Sequence, residues 1–115
     1  STSERQTEIY IKLIKLVERY YNQHHSVTFY ADRLCLSPKY LSSIVKAISG
    51  LTVQQHVFKA ITRRSIFLLN NTDLSVKQIS DSLHFPNPSF FGTFFKKQTG
   101  MSPRLFREKN KKTSL

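Results

Sequence analysis

The sequence predicts an all-α fold in which two helix-turn-helix units are joined by a long linker helix. Apolar residues recur at three- and four-residue intervals along most of the 115-residue chain, which is the period of an amphipathic helix. A repeat supports the duplication, because setting Pro38 against Pro88 aligns PKYLSSIVKAISGLT with PSFFGTFFKKQTGMS. Each copy also contains a helix start signal and a glycine stop. One short helix-break-helix unit used twice is therefore expected.

Three helices are predicted before residue 52. The first opens at Ser3, which with Gln6 forms a capping-box pattern, and it braces the unit that follows. The third opens at Ser37-Pro38, because serine caps exposed amides and proline suits the first helical turn. Gly50 ends that helix as a left-handed cap. The predicted helices cover 4–21, 27–34 and 38–48, within a first division of residues 1–52.

A long helix is predicted to follow the first unit. Thr52 caps it, and Val57, Ile61 and Leu68 belong to its inward stripe. The segment 53–71 is therefore assigned as the linker helix.

The second copy is predicted to occupy residues 72–115. Ser75 caps a helix over 76–83, and Asn87 before Pro88 repeats the start signal of the first unit. Ser102-Pro103 opens a last short helix, and the chain from Lys109 onward is expected to fray. The inward stripe of the helix that starts at Pro88 is expected to be Phe91, Phe94 and Phe95.

The charge balance predicts a polyanionic partner. The formal net charge is +11, which favours nucleic acid ahead of an acidic membrane surface. The excess is spread over both repeats and is densest in residues 101–115, with five basic and one acidic side chain. No apolar run is long enough to cross a bilayer, and the single cysteine favours a reducing compartment. We therefore expect a cytoplasmic protein with no membrane association.

Catalytic and metal-binding patterns are missing from the sequence. It contains no paired carboxylates, no Ser-His-Asp arrangement, no phosphate-binding glycine loop and no zinc-ligand spacing. His24 and His25 are adjacent and lack a spaced Cys, Asp or Glu, so we expect them in a solvent-facing loop. Neither a cofactor nor a metal is predicted, and an enzyme is not expected.

Three motifs of the second copy are specific when taken together: NPSFF at 87–91, FKK at 95–97 and TGMSP at 99–103. They resemble the C-terminal half of the DNA-binding domain of the arabinose-regulator (AraC/XylS) family of bacterial transcription regulators. The resemblance extends more loosely back to Val27. It implies seven helices, with the third and sixth each entering the major groove. The linker helix, roughly 27 Å long, suits two units that address neighbouring turns of one duplex, roughly 34 Å apart.

The resemblance also implies which residues meet DNA. Positions that face bases in the family correspond here to Lys39, Ser42, Ser43 and Lys46 in the first unit, and to Pro88, Ser89, Gly92, Thr93 and Lys96 in the second. Phosphate contacts are assigned to Ser37, Tyr40, Arg63, Arg64, Asn87, Lys97 and Arg104. For the adjacent arginines of the linker, a solvated pair is the alternative.

The chain departs from the usual family pattern on both recognition helices and in both turns. Ser43 and Thr93 stand where family members often have Arg, so no bidentate guanine reader is available there. The short Gly92-Thr93 surface could meet a thymine methyl, and phosphate anchoring and duplex shape would then contribute more. Cys35 and His84 stand where the family usually has Gly, so a left-handed backbone would strain each turn by about 1 kcal/mol.

Sequence-specific binding of double-stranded DNA for bacterial transcription regulation is thus the predicted function. The alternative is a basic helical module that docks an acidic protein or a structured RNA. The chain starts without Met and shows no ligand pocket or dimerisation heptad. We therefore expect a C-terminal piece of a larger, nucleoid-associated regulator with an N-terminal sensing or dimerisation region. RNA polymerase is a further candidate partner.

Overall fold

The computed structural model describes residues 3–113, with side chains up to residue 111, and these residues form seven α-helices and no strand. The all-α prediction is confirmed. The helices are α1 (Glu4–Tyr20), α2 (Val27–Arg33), α3 (Pro38–Ser49), α4 (Val53–Asn71), α5 (Val76–Ser82), α6 (Pro88–Thr99) and α7 (Pro103–Thr113). Among the described residues, every helix falls short of the length and apolarity needed to cross a membrane.

The first compact unit contains the residues up to Ala60, so it comprises α1 to α3 and the start of α4. Leu13, Tyr30 and Leu41 are completely buried at its centre. The Tyr30 hydroxyl donates a hydrogen bond to the carbonyl oxygen of His24 at 2.7 Å, which satisfies a polar group that would otherwise be costly to bury. Helix α1 packs against α2 and α3, as expected of a bracing helix.

The second unit contains the residues from Ile61 onward, and its core is rich in phenylalanine. Phe91 and Phe95 are completely buried, and Phe106 meets the Phe95 ring edge-on at 5.4 Å. Phe94 is half-buried and lies 5.3 Å from the Phe85 ring. Of the three residues predicted to face inward on α6, Phe91 and Phe95 are fully buried and Phe94 is only partly buried. Along the chain, the boundary between the two units falls within α4. The division into 1–52, 53–71 and 72–115 stays a prediction.

The helix boundaries follow local sequence signals. Ser37 Oγ accepts a hydrogen bond from the backbone amide of Tyr40 at 3.1 Å. Asn87 Oδ1 accepts the equivalent bond from the amide of Phe90 at 3.0 Å. Gly50 and Gly100 end α3 and α6 with φ of 76° and 88°, a left-handed conformation that glycine adopts without steric penalty. The repeat thus specifies the same capped helix twice.

Both turns between the paired helices have a left-handed residue that is not glycine. Cys35 has φ of 58° and His84 has φ of 63°. The condition stated for these two positions, a left-handed backbone, is therefore met. Because a Cβ crowds the following carbonyl in this conformation, each turn carries about 1–2 kcal/mol of strain.

Two local predictions are wrong. The last helix does not fray at Lys109, because α7 continues to Thr113 and Asn110 Nδ2 donates to Asn70 Oδ1 at 2.8 Å. His24 and His25 lie in the loop after α1, as predicted, but they are half-buried and not fully solvent-facing. The His24 ring lies parallel to the Phe29 ring at 3.7 Å, so aromatic packing draws this segment onto α2.

Candidate nucleic-acid interface

Helix α3 exposes the polar face expected of it. Lys39, Ser43 and Lys46 are exposed and Ser42 is half-buried. The apolar residues of α3 that are buried on its other face are Leu41, Ile44 and Val45. Neither lysine forms an ion pair with a described residue, so both ammonium groups are available to an anion.

Helix α6 has the same division of faces. Ser89, Thr93 and Lys96 are exposed, whereas Pro88 and Gly92 are half-buried. This set contains one lysine, whereas the corresponding set on α3 contains two; Lys97 is also exposed on α6 but lies outside the set. The two helices therefore offer related but unequal surfaces.

The start of each recognition helix keeps one free amide. Proline at the first helical position has no N–H group, and the amide at the third position is bonded to the capping residue. The amides of Lys39 and Ser89, at the second position, find no acceptor within the described residues. A free amide at the positive end of a helix dipole is suited to a phosphate oxygen. The side-chain oxygens of the caps Ser37 and Asn87 are committed to their own helices.

The remaining residues assigned to phosphate are all on the surface. Tyr40 retains 39% of its accessible area, and its neighbour Ser43 donates its hydroxyl hydrogen back to the Tyr40 carbonyl oxygen at 2.8 Å. Arg63 and Arg64 are exposed on α4. The Arg64 guanidinium lies 5.1 Å from the Phe67 ring centre, a cation–π distance, so one of the two arginines already has an internal contact.

An open groove of about 760 Å³ lies in the second unit. Its lining includes Lys77, Pro88, Arg104 and Lys111, together with the carboxylate of Glu108. Arg104 is exposed, and the excess of positive charge suits an anion. The structure therefore places Arg104 beside the start of α6, whereas Lys97 is exposed near that helix's other end.

Phe90 is an exposed aromatic residue that is not among the predicted contacts. Its ring retains 61% of its accessible area in the first turn of α6, at the position that Tyr40 occupies in the first unit. The repeat alignment contained the signal, because it pairs Phe90 with Tyr40. An aromatic side chain thus flanks the polar face of both recognition helices.

Metal chemistry has no candidate site, since the described part of the chain contains no group of three or more His, Cys, Asp or Glu side chains suited to an ion. What each unit presents instead is a capped helix with a polar, basic face.

Comparison with known proteins identifies the family. A sequence profile described as a helix-turn-helix domain matches residues 30–109. The Msm operon regulatory protein of Streptococcus mutans serotype c is 31% identical over 107 residues, which cover 92% of this chain and 38% of that protein. The chain belongs to the AraC/XylS family, as its DNA-binding domain. The HTH-type transcriptional activator RhaS of Escherichia fergusonii is 32% identical over 96 residues, covering 84% of the chain and 34% of that protein.

A solved structure has a similar fold. The C-terminal domain of AraT, a response regulator from Geobacillus stearothermophilus, is similar with a TM-score of 0.83 and 25% identity, covering 88% of this chain and 84% of that one. The resemblance stated from the sequence is therefore confirmed, as is the predicted fold class. The chain spans little more than a third of the length of the two regulators named above.

Proposed function

We propose that this AraC/XylS domain binds double-stranded DNA sequence-specifically in the control of bacterial transcription. The observation that carries the proposal is the pair of matching helices, α3 and α6, which bury one apolar face and leave a basic, polar face open. We take these as the recognition helices, each addressing its own major-groove segment of one duplex.

Phosphate binding supplies the sequence-independent part of the affinity. Lys46 and Lys96, which belong to the base-facing set, occupy equivalent positions near the ends of the two recognition helices. As cations held against the duplex, their ammonium groups would also displace counterions from it. The free amides of Lys39 and Ser89 would bind a phosphate oxygen at each helix start. These contacts would fix the register of each helix on the DNA.

Base reading falls to the short polar side chains. Ser42 and Ser89 can contact either a donor or an acceptor on a base edge, whereas Lys39 can donate to guanine. The hydroxyl of Ser43 is partly committed, because it donates to its own helix. In the first unit, direct hydrogen bonds to bases would therefore come from Lys39 and Ser42 more than from Ser43.

The linker arginines are assigned to phosphate. Arg63 and Arg64 are both exposed, and a solvated pair remains the alternative. The cation–π contact of Arg64 would hold its guanidinium near the helix and leave Arg63 freer to reach the backbone of the duplex.

Partners of the whole protein follow as further proposals. The Msm operon regulatory protein and RhaS are both much longer than this chain, which supports a separate N-terminal region for sensing or dimerisation. RNA polymerase would be a partner if the protein activates transcription. The proposed location is the bacterial cytoplasm, at the nucleoid.

Competition binding tests the function. Duplexes selected from a random pool by this domain should be bound in preference to their scrambled versions and to RNA of the same sequence, by about 1000-fold at physiological salt. Equal competition by scrambled DNA would show that binding is not sequence-specific. Stronger competition by RNA would favour the alternative, a basic interaction module.

A further inference from the structure

Gly92 lies in the middle of α6 without a structural reason for being glycine. Its backbone is not left-handed, unlike that of Gly50 and Gly100. A Cβ built on Gly92 would meet nothing within 4 Å. Glycine in the interior of a helix is less stabilising than alanine. Gly92 therefore lowers the stability of the second unit, and neither its backbone geometry nor its packing requires glycine.

The repeat shows that a side chain is tolerated at this position. Ser42 is the counterpart of Gly92 in α3, where the same capped helix carries a serine with a normal helical backbone. Glycine at residue 92 is thus a difference in the surface that α6 presents, and that surface is the one assigned to base reading.

The side chain that follows this gap is free to contact a ligand. Thr93 is exposed, and its hydroxyl has no hydrogen-bond partner among the described residues. Its counterpart Ser43 instead donates to the carbonyl oxygen of Tyr40. Thr93 therefore offers both a methyl group and an uncommitted hydroxyl beside the missing Cβ.

We propose that Gly92 forms a notch that admits the C5-methyl group of a thymine, with Thr93 as one wall of the notch. This inference rests on the proposed function, because it requires α6 to enter the major groove. The thymine methyl is the one apolar feature that a base presents there. Small side chains without an amide or guanidinium group can recognise that methyl group, whereas they cannot bind guanine or adenine in bidentate fashion.

Single thymine-to-uracil replacements test the notch, because they remove the methyl group and nothing else. Each thymine of a selected duplex is replaced in turn by deoxyuridine, and the Kd is measured for the wild-type domain. We expect one such replacement in the half contacted by the second unit to weaken binding about 3- to 10-fold, as expected for one buried methyl group.

Filling the notch provides the matched protein variant. Gly92→Ala is expected to weaken binding of the selected duplex at least about 5-fold and to remove the difference between thymine and uracil. The same change should raise the melting temperature by roughly 2–5 °C, because alanine favours the helix. Gln98→Ala, at another exposed position of α6, should leave both the affinity and the uracil effect as in the wild type.

We therefore expect Gly92→Ala to raise the stability of the domain and to lower its affinity for the selected duplex. The inference is overturned if no uracil replacement affects binding, if Gly92→Ala binds as the wild type does, or if Gly92→Ala destabilises the domain. Such a failure is distinguishable from failure of the proposed function, which would appear as equal binding of selected and scrambled duplexes by the unmodified domain.

Discussion

Arg107 Nη1 donates a hydrogen bond of 2.6 Å to the main-chain carbonyl oxygen of Leu74. The same guanidinium donates from Nε to Leu69 at 3.0 Å and from Nη2 to Leu68 and Thr72 at 3.4 and 3.3 Å. The last carbonyl groups of a helix lack partners within the helix, and a planar guanidinium can serve several of them at once. One side chain of α7 thus closes the end of α4 and fixes the segment that leads to α5.

Removal of this side chain should destabilise the second unit. We expect Arg107→Ala to lower the free energy of unfolding by about 2–4 kcal/mol, because several half-buried carbonyl groups lose a charged donor. Arg107→Lys should recover little of the loss, since an ammonium lacks the planar fork. Urea unfolding monitored by circular dichroism measures both.

Arg104 provides the control on the same helix. It is exposed and forms no such contacts, so Arg104→Ala should change the free energy of unfolding by no more than about 0.5 kcal/mol. Full stability of Arg107→Lys would show that charge, not the geometry of the guanidinium, holds α7 in place.

Ser80 is a buried polar residue without a partner. Its side chain is completely inaccessible, and its Oγ has no hydrogen-bond partner within the described residues. The first unit has Ala31 at the equivalent position, also completely buried. We expect Ser80→Ala to stabilise the domain by about 1 kcal/mol, because an unpaired hydroxyl is costly to bury. A loss of stability in urea unfolding would show that the hydroxyl does have a partner.

Much of the fold could be predicted because its signals are local. Ser37 and Asn87 each bind an amide three residues away, so the residues needed to infer the cap lie within four positions of sequence. The polar faces of the two recognition helices follow from helical period alone. The left-handed turn at Cys35 could be anticipated only through the family resemblance, because the family usually has Gly at that position.

The features that could not be predicted depend on distant contacts. Arg107 bonds to carbonyl groups 33 to 39 residues earlier in the chain, so nothing near it in the sequence signals that α7 is anchored. The stacking of His24 on Phe29 depends on how α2 returns toward the end of α1. At the candidate interface, the helical periodicity predicts that Ser43 is exposed. It cannot show that the Ser43 hydroxyl donates a hydrogen bond to the Tyr40 carbonyl oxygen of the same helix.

Strain at the first turn makes Cys35→Gly a stabilising substitution. The left-handed backbone costs about 1–2 kcal/mol with a side chain, whereas glycine gives back roughly 0.5–1 kcal/mol in unfolded-state entropy. The expected net gain is about 0.5–1 kcal/mol, measured by thermal unfolding. Cys35→Ala, which keeps the Cβ and removes the thiol, is the control and should not stabilise. Equal gains from both would assign the effect to the thiol and not to the backbone.

Tyr30 should make the first unit sensitive to alkaline pH. Burial raises the pKa of its phenol from 10.0 to about 12, so the folded protein holds this proton more tightly than the unfolded chain. The contribution of this proton to the free energy of unfolding is fully present below about pH 10 and is lost as the pH rises toward 12. At neutral pH, Tyr30→Phe should be less stable than the wild type by about 1 kcal/mol, because the bond to the His24 carbonyl is lost.

The difference between these two proteins is the measurement that isolates the phenol. Any other group that titrates in this pH range is present in both proteins, so its effect cancels in the difference. The stability advantage of the wild type should therefore shrink between pH 10 and 12. A constant difference across that range would contradict the raised pKa of Tyr30.

Lys46 and Lys96 should contribute to DNA affinity mainly through phosphate charge. Because each phosphate neutralised releases a counterion, the slope of log K against log salt should become shallower by about 1 in Lys46→Ala and again in Lys96→Ala. Each variant should also bind less tightly across all duplexes while retaining its preference among them. Fluorescence anisotropy with the selected duplex between 50 and roughly 200 mM salt measures both quantities.

Lys15 offers a matched cation outside both recognition helices. It is exposed on α1, and Lys15→Ala should leave the salt slope close to that of the wild type. A changed slope in one recognition-helix variant alone would show that only that unit engages the duplex under these conditions. Unchanged slopes in both variants would remove the electrostatic role assigned to the two lysines, because a cation that contacts phosphate must release counterions when it binds.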